Sequence, residues 1–208
     1  MSPDSSLELP SAAANPFSAA DVAAILQEHG WLASGAEAPE NTNASISELK
    51  LRPPKEELQV WLERAAALLG PQAAEGATDP AEARTKLEDL LSLVFHYDAR
   101  AILATPDAHA VLLREGAREV IRELAHRVLT GPEVDSDRFK EIVNALKEKL
   151  EMRGRGLFHP IRLALAGQAG EGELDRVILL LDAAAKLPFA VPVKGTRQRM
   201  VEFCAALD

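Results

Sequence analysis

The chain has 208 residues, of which 47% are hydrophobic but only 4% aromatic, and this low aromatic content with few β-branched runs favours helices over sheets. Its single cysteine, Cys204, excludes an intrachain disulfide and a cysteine-based zinc cluster. The net charge of -9 argues against a nucleic-acid partner only for the first part of the chain, because residues 1–85 hold 5 Lys and Arg against 13 Asp and Glu whereas residues 86–208 hold 18 against 19.

Residues 1–84 are predicted to form a tail and an acidic pair of helices joined by linkers. Residues 1–16 carry three prolines among Ser, Ala and Asn, a composition typical of a disordered tail. Ser18 predicts the N-cap of a short helix that stops at Gly30. The stretch "PPKEELQVWLERAAALLG" predicts a second helix that ends at Gly70. No signal peptide and no run of about 18 apolar residues is evident, so we expect a cytoplasmic protein without a membrane partner.

Residues 85–208 show a denser helical pattern. Thr85 and Glu88 have the spacing of a capping box, Ser136 is a good N-cap, and Pro160 suits the first turn of a helix. We predict helices over residues 85–103, 105–129, 136–150, 160–167 and 174–187, and a final one near the C-terminus. Five helices in about 100 residues with short connections describe an all-α helical bundle.

No motif in the sequence indicates a catalytic residue, a metal site or a cofactor site. No two histidines lie four positions apart, and "HYD" at 96–98 ends an apolar helical face, where packing roles are usual. The stretch "GQAGEGE" lacks the Gly-Lys-Ser/Thr ending of a phosphate loop.

The stretch "RGRGLFHP" at 153–160 has the residue types of a phosphate or RNA contact. Its glycines let the backbone approach a partner, and Arg153 and Arg155 can each direct two donors at a phosphate. Phe158 or His159 can stack on an unpaired base, and a helix start at Pro160 adds a positive dipole end. Residues 138–162 hold seven cations against three glutamates. A solvated helix face with mixed charges is the alternative for these cations.

The stretch from Leu146 to Leu181, "LKEKLEMRGRGLFHPIRLALAGQAGEGELDRVILLL", resembles the C-terminal anticodon-binding region of bacterial glutamyl-tRNA synthetases. In that family a Lys-rich helix leads to a Gly-Lys turn, Pro-Leu-Arg, Ala-Leu-Thr-Gly and a Gly-Pro-Glu-Leu helix start. Looser similarity extends back to Lys86 and forward to the final "GTRQRMVEFCAALD". The resemblance implies that residues 85–208 form the family's helical bundle, preceded by two extra helices within residues 17–84.

The chain departs from the family pattern at several points. Ala166 replaces the threonine, Glu171-Gly172 replaces Gly-Pro, and "DAAAKLPFAVPVK" is inserted where the family has a tight connection. The His-Ile-Gly-His and Lys-Met-Ser-Lys-Ser elements that similar synthetases use to bind ATP are absent. We therefore expect that the chain cannot charge tRNA by itself. Because the first 85 residues do not resemble the catalytic domain either, we expect a freestanding protein, with a fragment of a synthetase as the alternative.

Three functions fit these observations. In the first, the chain binds tRNA or another structured RNA. In the second, it docks a synthetase or other protein through its acidic N-terminal helices. In the third, it supplies the anticodon-reading part of a split synthetase. Arg162 has a competing role, because it can instead hold two helices together. The predicted RNA-binding residues are Lys147, Lys149, Arg153, Arg155, His159 and Arg162.

Overall fold

The computed structural model describes residues 15–32 and 55–207, which form ten α-helices and no strand. The all-α prediction is confirmed. The predicted tail and first linker lie almost entirely outside the described residues. The helices are α1 (Ala19–Glu28), α2 (Lys55–Ala74), α3 (Pro80–Phe95), α4 (Ala99–Leu103), α5 (Pro106–Leu112), α6 (Ala117–Thr130), α7 (Ser136–Leu150), α8 (Gly154–Ala166), α9 (Glu173–Ala184) and α10 (Thr196–Leu207).

The helices pack in two groups around one continuous core. Helices α2, α3 and α9 contact one another and α1 packs on α2, whereas α6 contacts α7, α8 and α10. Helix α9 also packs on α8 and so joins the two groups. Apolar residues of α1 and α2 such as Ile25 and Leu69 are fully buried in the same cluster as Leu124 and Leu157. The domain boundary at residue 84 stays a prediction.

An aromatic cluster packs the N-terminal helices against the inserted segment, residues 182–194. The rings of Trp31 and Phe95 stack with centroids 4.8 Å apart, and the Phe189 ring lies 5.0 Å from both Trp61 and Phe95. The backbone N–H of Ala190 donates to the carbonyl of Trp31 over 2.8 Å. The insertion that departs from the family pattern therefore has a structural role.

Arg199 is a fully buried cation that caps two helices. Its guanidinium donates to the carbonyls of Leu93 and Val94 at the end of α3, to Leu165 at the end of α8, and to Lys194. These helix-end carbonyls have no partner within their own helices, and a cation there also offsets the negative dipole end. Burial lowers the pKa of Arg199 to about 10, so it stays protonated at neutral pH.

Helix α3 begins earlier than predicted, so the capping box of Thr85 and Glu88 is wrong. The N-cap is Asp79, whose carboxylate accepts from backbone N–H groups of the first turn. Thr85 lies inside the helix, where its hydroxyl donates to the carbonyl of Ala81. The helix ends at Phe95, and the separate short helix α4 follows.

Two further helix boundaries differ from the predictions, one at Gly116 and one at Gly70. Thr105 caps α5, because its hydroxyl accepts a hydrogen bond from the N–H of Ala108. The helix predicted over 105–129 is nevertheless two helices, because Gly116 adopts a φ of +78° at the start of α6, a conformation that continues no right-handed helix. Conversely, α2 continues past Gly70 and through Pro71.

Candidate nucleic-acid interface

Helix α7 presents the predicted lysines at its C-terminal end. Asp135, not Ser136, is its N-cap, since its carboxylate accepts from the N–H of Arg138. The helix ends at Glu151, which adopts the left-handed conformation with a φ of 55°. This conformation reverses the chain toward α8. The buried stripe of α7 consists of Phe139, Ile142, Val143 and Leu146.

Helix α8 begins at Gly154, so the predicted helix start at Pro160 is wrong. Arg153 is the extended N-cap residue, with φ -146° and ψ 169°. Leu157 and Ile161 lie four positions apart and are both fully buried, and this stripe explains why the helix extends through the predicted turn. Pro160 lies inside the helix. The positive end of the α8 dipole therefore lies beside Gly154 and not at Pro160.

A groove between α7 and α8 contains the two predicted cations that have no carboxylate partner. We call it the α7–α8 groove; it has a volume of about 400 Å³ and is lined by Lys147, Glu148, Arg153, Gly154 and Phe158. The Lys147 ammonium lies 5.5 Å from the centre of the half-buried Phe158 ring. Within residues 15–32 and 55–207, no hydrogen bond or ion pair engages the side chain of Lys147 or Arg153. Their charges are available to a phosphate.

Lys149 and Arg155 are exposed, but each forms an ion pair. The ammonium of Lys149 lies 2.6 Å from the Glu123 carboxylate of α6, and this hydrogen bond lowers the pKa of Glu123. The guanidinium of Arg155 lies 3.2 Å from Glu171 in the loop before α9. Both groups of the Arg155–Glu171 pair are more than half exposed, so a phosphate can compete for Arg155 at little cost in stability. The Glu123 side chain is only 11% exposed, so Lys149 is held by a buried carboxylate.

Arg162 connects α8 to α9 instead of facing solvent. Its side chain is 8% exposed and donates two hydrogen bonds of 2.8 and 2.9 Å to the Asp175 carboxylate. A third bond of 2.8 Å reaches the Gly170 carbonyl. This is the helix-holding role that competed with RNA binding in the sequence analysis.

His159 is buried and lies beside a further arginine. Its Nδ1 atom is 3.1 Å from the guanidinium of Arg114, in the connection between α5 and α6. Its Nε2 atom is buried without a hydrogen-bond partner in the described part of the chain. Burial is the main reason that the pKa of His159 is lowered, and the nearby Arg114 adds to it. In this conformation the ring is not a stacking surface for a base.

Most of the positive charge that the sequence analysis found in residues 138–162 is locally neutralised. Five of its seven cations form ion pairs, and the carboxylates involved are Glu141, Asp137, Glu123, Glu171 and Asp175. Only Lys147 and Arg153 have no ion-pair partner among the described residues. The candidate interface is therefore centred on the α7–α8 groove.

Helix α6 adds two cations that the sequence analysis missed. Arg118 and Arg122 are exposed, and neither has an ion-pair partner in the described ranges. They lie one helical turn apart on the same face, about 6 Å along the axis. Their four-residue spacing could have identified them in the sequence, but they lie outside the segment with the highest density of cations.

The described residues contain no group of three or more His, Cys, Asp or Glu side chains arranged to hold a metal ion. Among the same residues, no helix is both long enough and apolar enough to cross a lipid bilayer.

Comparison with known proteins finds a family of anticodon-binding domains. The anticodon binding domain family model matches residues 50–184, from just before α2 to the end of α9. No solved structure gives a significant match.

Three curated relatives are glutamate–tRNA ligases. Glutamate–tRNA ligase 2 of Syntrophus aciditrophicus is 32% identical over 47% of this chain and 20% of its own length. The glutamate–tRNA ligases of Exiguobacterium sibiricum and Bacillus licheniformis are 30% and 29% identical over 62% and 59% of this chain. These matches span 24% and 23% of the two ligases. The chain thus spans about a quarter or less of the length of the curated relatives it matches.

Proposed function

The chain belongs to the anticodon-binding domain family, and from this premise we propose that it is a freestanding cytoplasmic protein that binds tRNA or a similarly structured RNA. The α7–α8 groove is the centre of this interaction, and the chain has no aminoacylation activity of its own. Membership of a family that includes the anticodon-binding part of glutamate–tRNA ligases supports the class of ligand.

The observation that carries the proposal is the pair of unneutralised cations in the α7–α8 groove. Lys147 and Arg153 come from different helices yet line one groove with the half-buried ring of Phe158. Two cations beside an aromatic ring suit a phosphate backbone with an unpaired base. Arg118 and Arg122 on α6 are two further exposed cations without an ion-pair partner among the described residues.

The test is RNA binding by charge-reversal variants of the full chain. Binding of unfractionated tRNA is measured between about 50 and 200 mM salt. We expect Arg153→Glu and Lys147→Glu each to weaken binding about tenfold. Each should also reduce the log–log salt slope by about one unit for every phosphate that the variant no longer neutralises.

Arg100→Glu is the matched control, because Arg100 is an exposed arginine on α4 that also has no ion-pair partner among the described residues. It changes the net charge of the chain by the same amount. If it weakens binding as much as Arg153→Glu does, the α7–α8 groove is not the site. If the wild-type chain binds no tRNA, the proposal that its ligand is tRNA is contradicted.

A second candidate function is favoured by the five ion pairs in residues 138–162. A surface that pairs its cations internally is expected in a protein that has kept the family's fold but docks another protein, such as a synthetase. A related function is that the chain supplies the anticodon-reading part of a split synthetase. This function is tested by adding the chain to a synthetase that lacks its anticodon-binding region and measuring whether tRNA charging is restored.

A further inference from the structure

An open apolar groove lies between α2 and α9, away from the residues of the α7–α8 groove. We call it the α2–α9 groove; its volume is about 470 Å³. Its floor includes the buried side chains of Trp61, Val134 and Leu179 and the half-buried Leu187. The side chain of Val60 on its edge is 64% exposed, so the apolar lining of the groove continues to the protein surface.

The rim of the α2–α9 groove is acidic. Five carboxylates and two cations line it, an excess of three negative charges. One of the cations, Lys186, already lies 2.6 Å from the Glu133 carboxylate. Glu56 and Glu57 are exposed in the first turn of α2 and have no ion pair with another described residue. Phosphates would be repelled here, because the excess charge has their own sign.

The dimensions of the groove suit a helix. On α2 the lining residues run from Glu56 to Arg64, and on α9 and the turn after it they run from Leu179 to Leu187. The run on α2 spans eight positions, or about 12 Å of helix. An amphipathic helix of two to three turns would place its apolar side chains over this length.

We propose that the α2–α9 groove binds a basic amphipathic helix of a protein partner. Leucine-like side chains of the partner cover Val60 and Trp61, and its lysines or arginines face Glu56 and Glu57. This binding site is independent of RNA binding and gives the second candidate function a location. The sign of the rim charge selects a cationic peptide over an acidic one and over RNA.

The test uses a labelled helical peptide of about 12 residues, with leucines on one face and lysines on the other, and the same peptide with glutamates in place of the lysines. We expect the full chain to bind the lysine peptide and not the glutamate peptide. Val60→Glu should weaken binding of the lysine peptide at least about tenfold, because it places a charge in the apolar contact. Glu57→Lys should weaken it as well, through charge repulsion.

Leu113→Glu is the matched control, because Leu113 is an apolar residue that is 86% exposed elsewhere on the surface. Both positions are exposed, so neither substitution is expected to unfold the chain. The proposal is overturned if the lysine peptide does not bind, or if Leu113→Glu weakens binding as much as Val60→Glu. It is also overturned if Val60→Glu instead dissolves a dimer of the chain, or if it lowers tRNA affinity.

Discussion

His159 illustrates how a single buried side chain links folding to pH. Burial lowers its pKa from the ordinary value, so the unfolded chain binds a proton at a higher pH than the folded chain does. The stabilising effect of the neutral ring is complete above the unfolded pKa of about 6.5 and is lost as the pH falls through the lowered folded pKa. The free energy of unfolding should therefore decrease as the solution is acidified below about pH 6.5.

The variant His159→Asn isolates this effect, because asparagine cannot gain a proton in this range and still offers an acceptor to Arg114. Chemical denaturation at a series of pH values is the measurement. The wild-type chain should lose more stability than the variant between about pH 7 and 5. Parallel curves for the two proteins would contradict a lowered pKa at His159.

The sequence predicts which residues carry positive charge near the candidate site. It does not predict which of these cations are free of ion pairs. The density of cations in residues 138–162 draws attention to a segment that includes Lys147 and Arg153, the two cations of that segment without an ion-pair partner among the described residues. It cannot show that Glu123 pairs with Lys149 or that Glu171 pairs with Arg155, because those carboxylates lie 26 and 16 positions away in the chain. Whether a cation is free depends on tertiary contacts, so the predicted set includes residues that are partly or wholly occupied.

At the level of elements, the ion pair of Arg162 and Asp175 ties α8 to α9. Arg162→Met leaves the Asp175 carboxylate without its partner, so we expect it to lower the free energy of unfolding by about 3 kcal/mol. The double variant Arg162→Met with Asp175→Leu should recover most of this loss, since replacing both charges by apolar groups removes the unpaired charge. Thermal or chemical unfolding measures both values.

Arg153→Met is the control for this pair, because Arg153 is an exposed arginine with no ion-pair partner among the described residues. It should change the free energy of unfolding by less than about 0.5 kcal/mol. A similar loss in Arg153→Met and Arg162→Met, or no recovery in the double variant, would show that the ion pair does not hold the two helices together.

Helix existence is easier to predict from this sequence than helix boundaries. The apolar stripe of α7 correctly predicts a helix over 136–150. The predicted start of α3 is wrong because Asp79 followed by Pro80 is also a helix-start signal, and burial of Ala83 agrees with this earlier start. Pro160 fits a helix start because proline is common there, whereas burial of Leu157 and Ile161 extends α8 in front of it.

For the whole molecule, the resemblance to the anticodon-binding region identifies the fold and the family, and the structure adds the distribution of charge. Lys147 and Arg153 give the α7–α8 groove two cations without ion-pair partners among the described residues, whereas carboxylates outnumber cations around the α2–α9 groove. The two grooves have opposite character. They therefore suit an RNA and a cationic protein, respectively.

Ultraviolet crosslinking of the full chain to thiouridine-containing tRNA, followed by mass spectrometry of the crosslinked peptides, tests RNA binding at the α7–α8 groove most directly. The account predicts crosslinks within residues 147–158, which decrease when Arg153 is replaced by glutamate. Crosslinks confined to α1 and α2, or no crosslinked RNA at all, would contradict it.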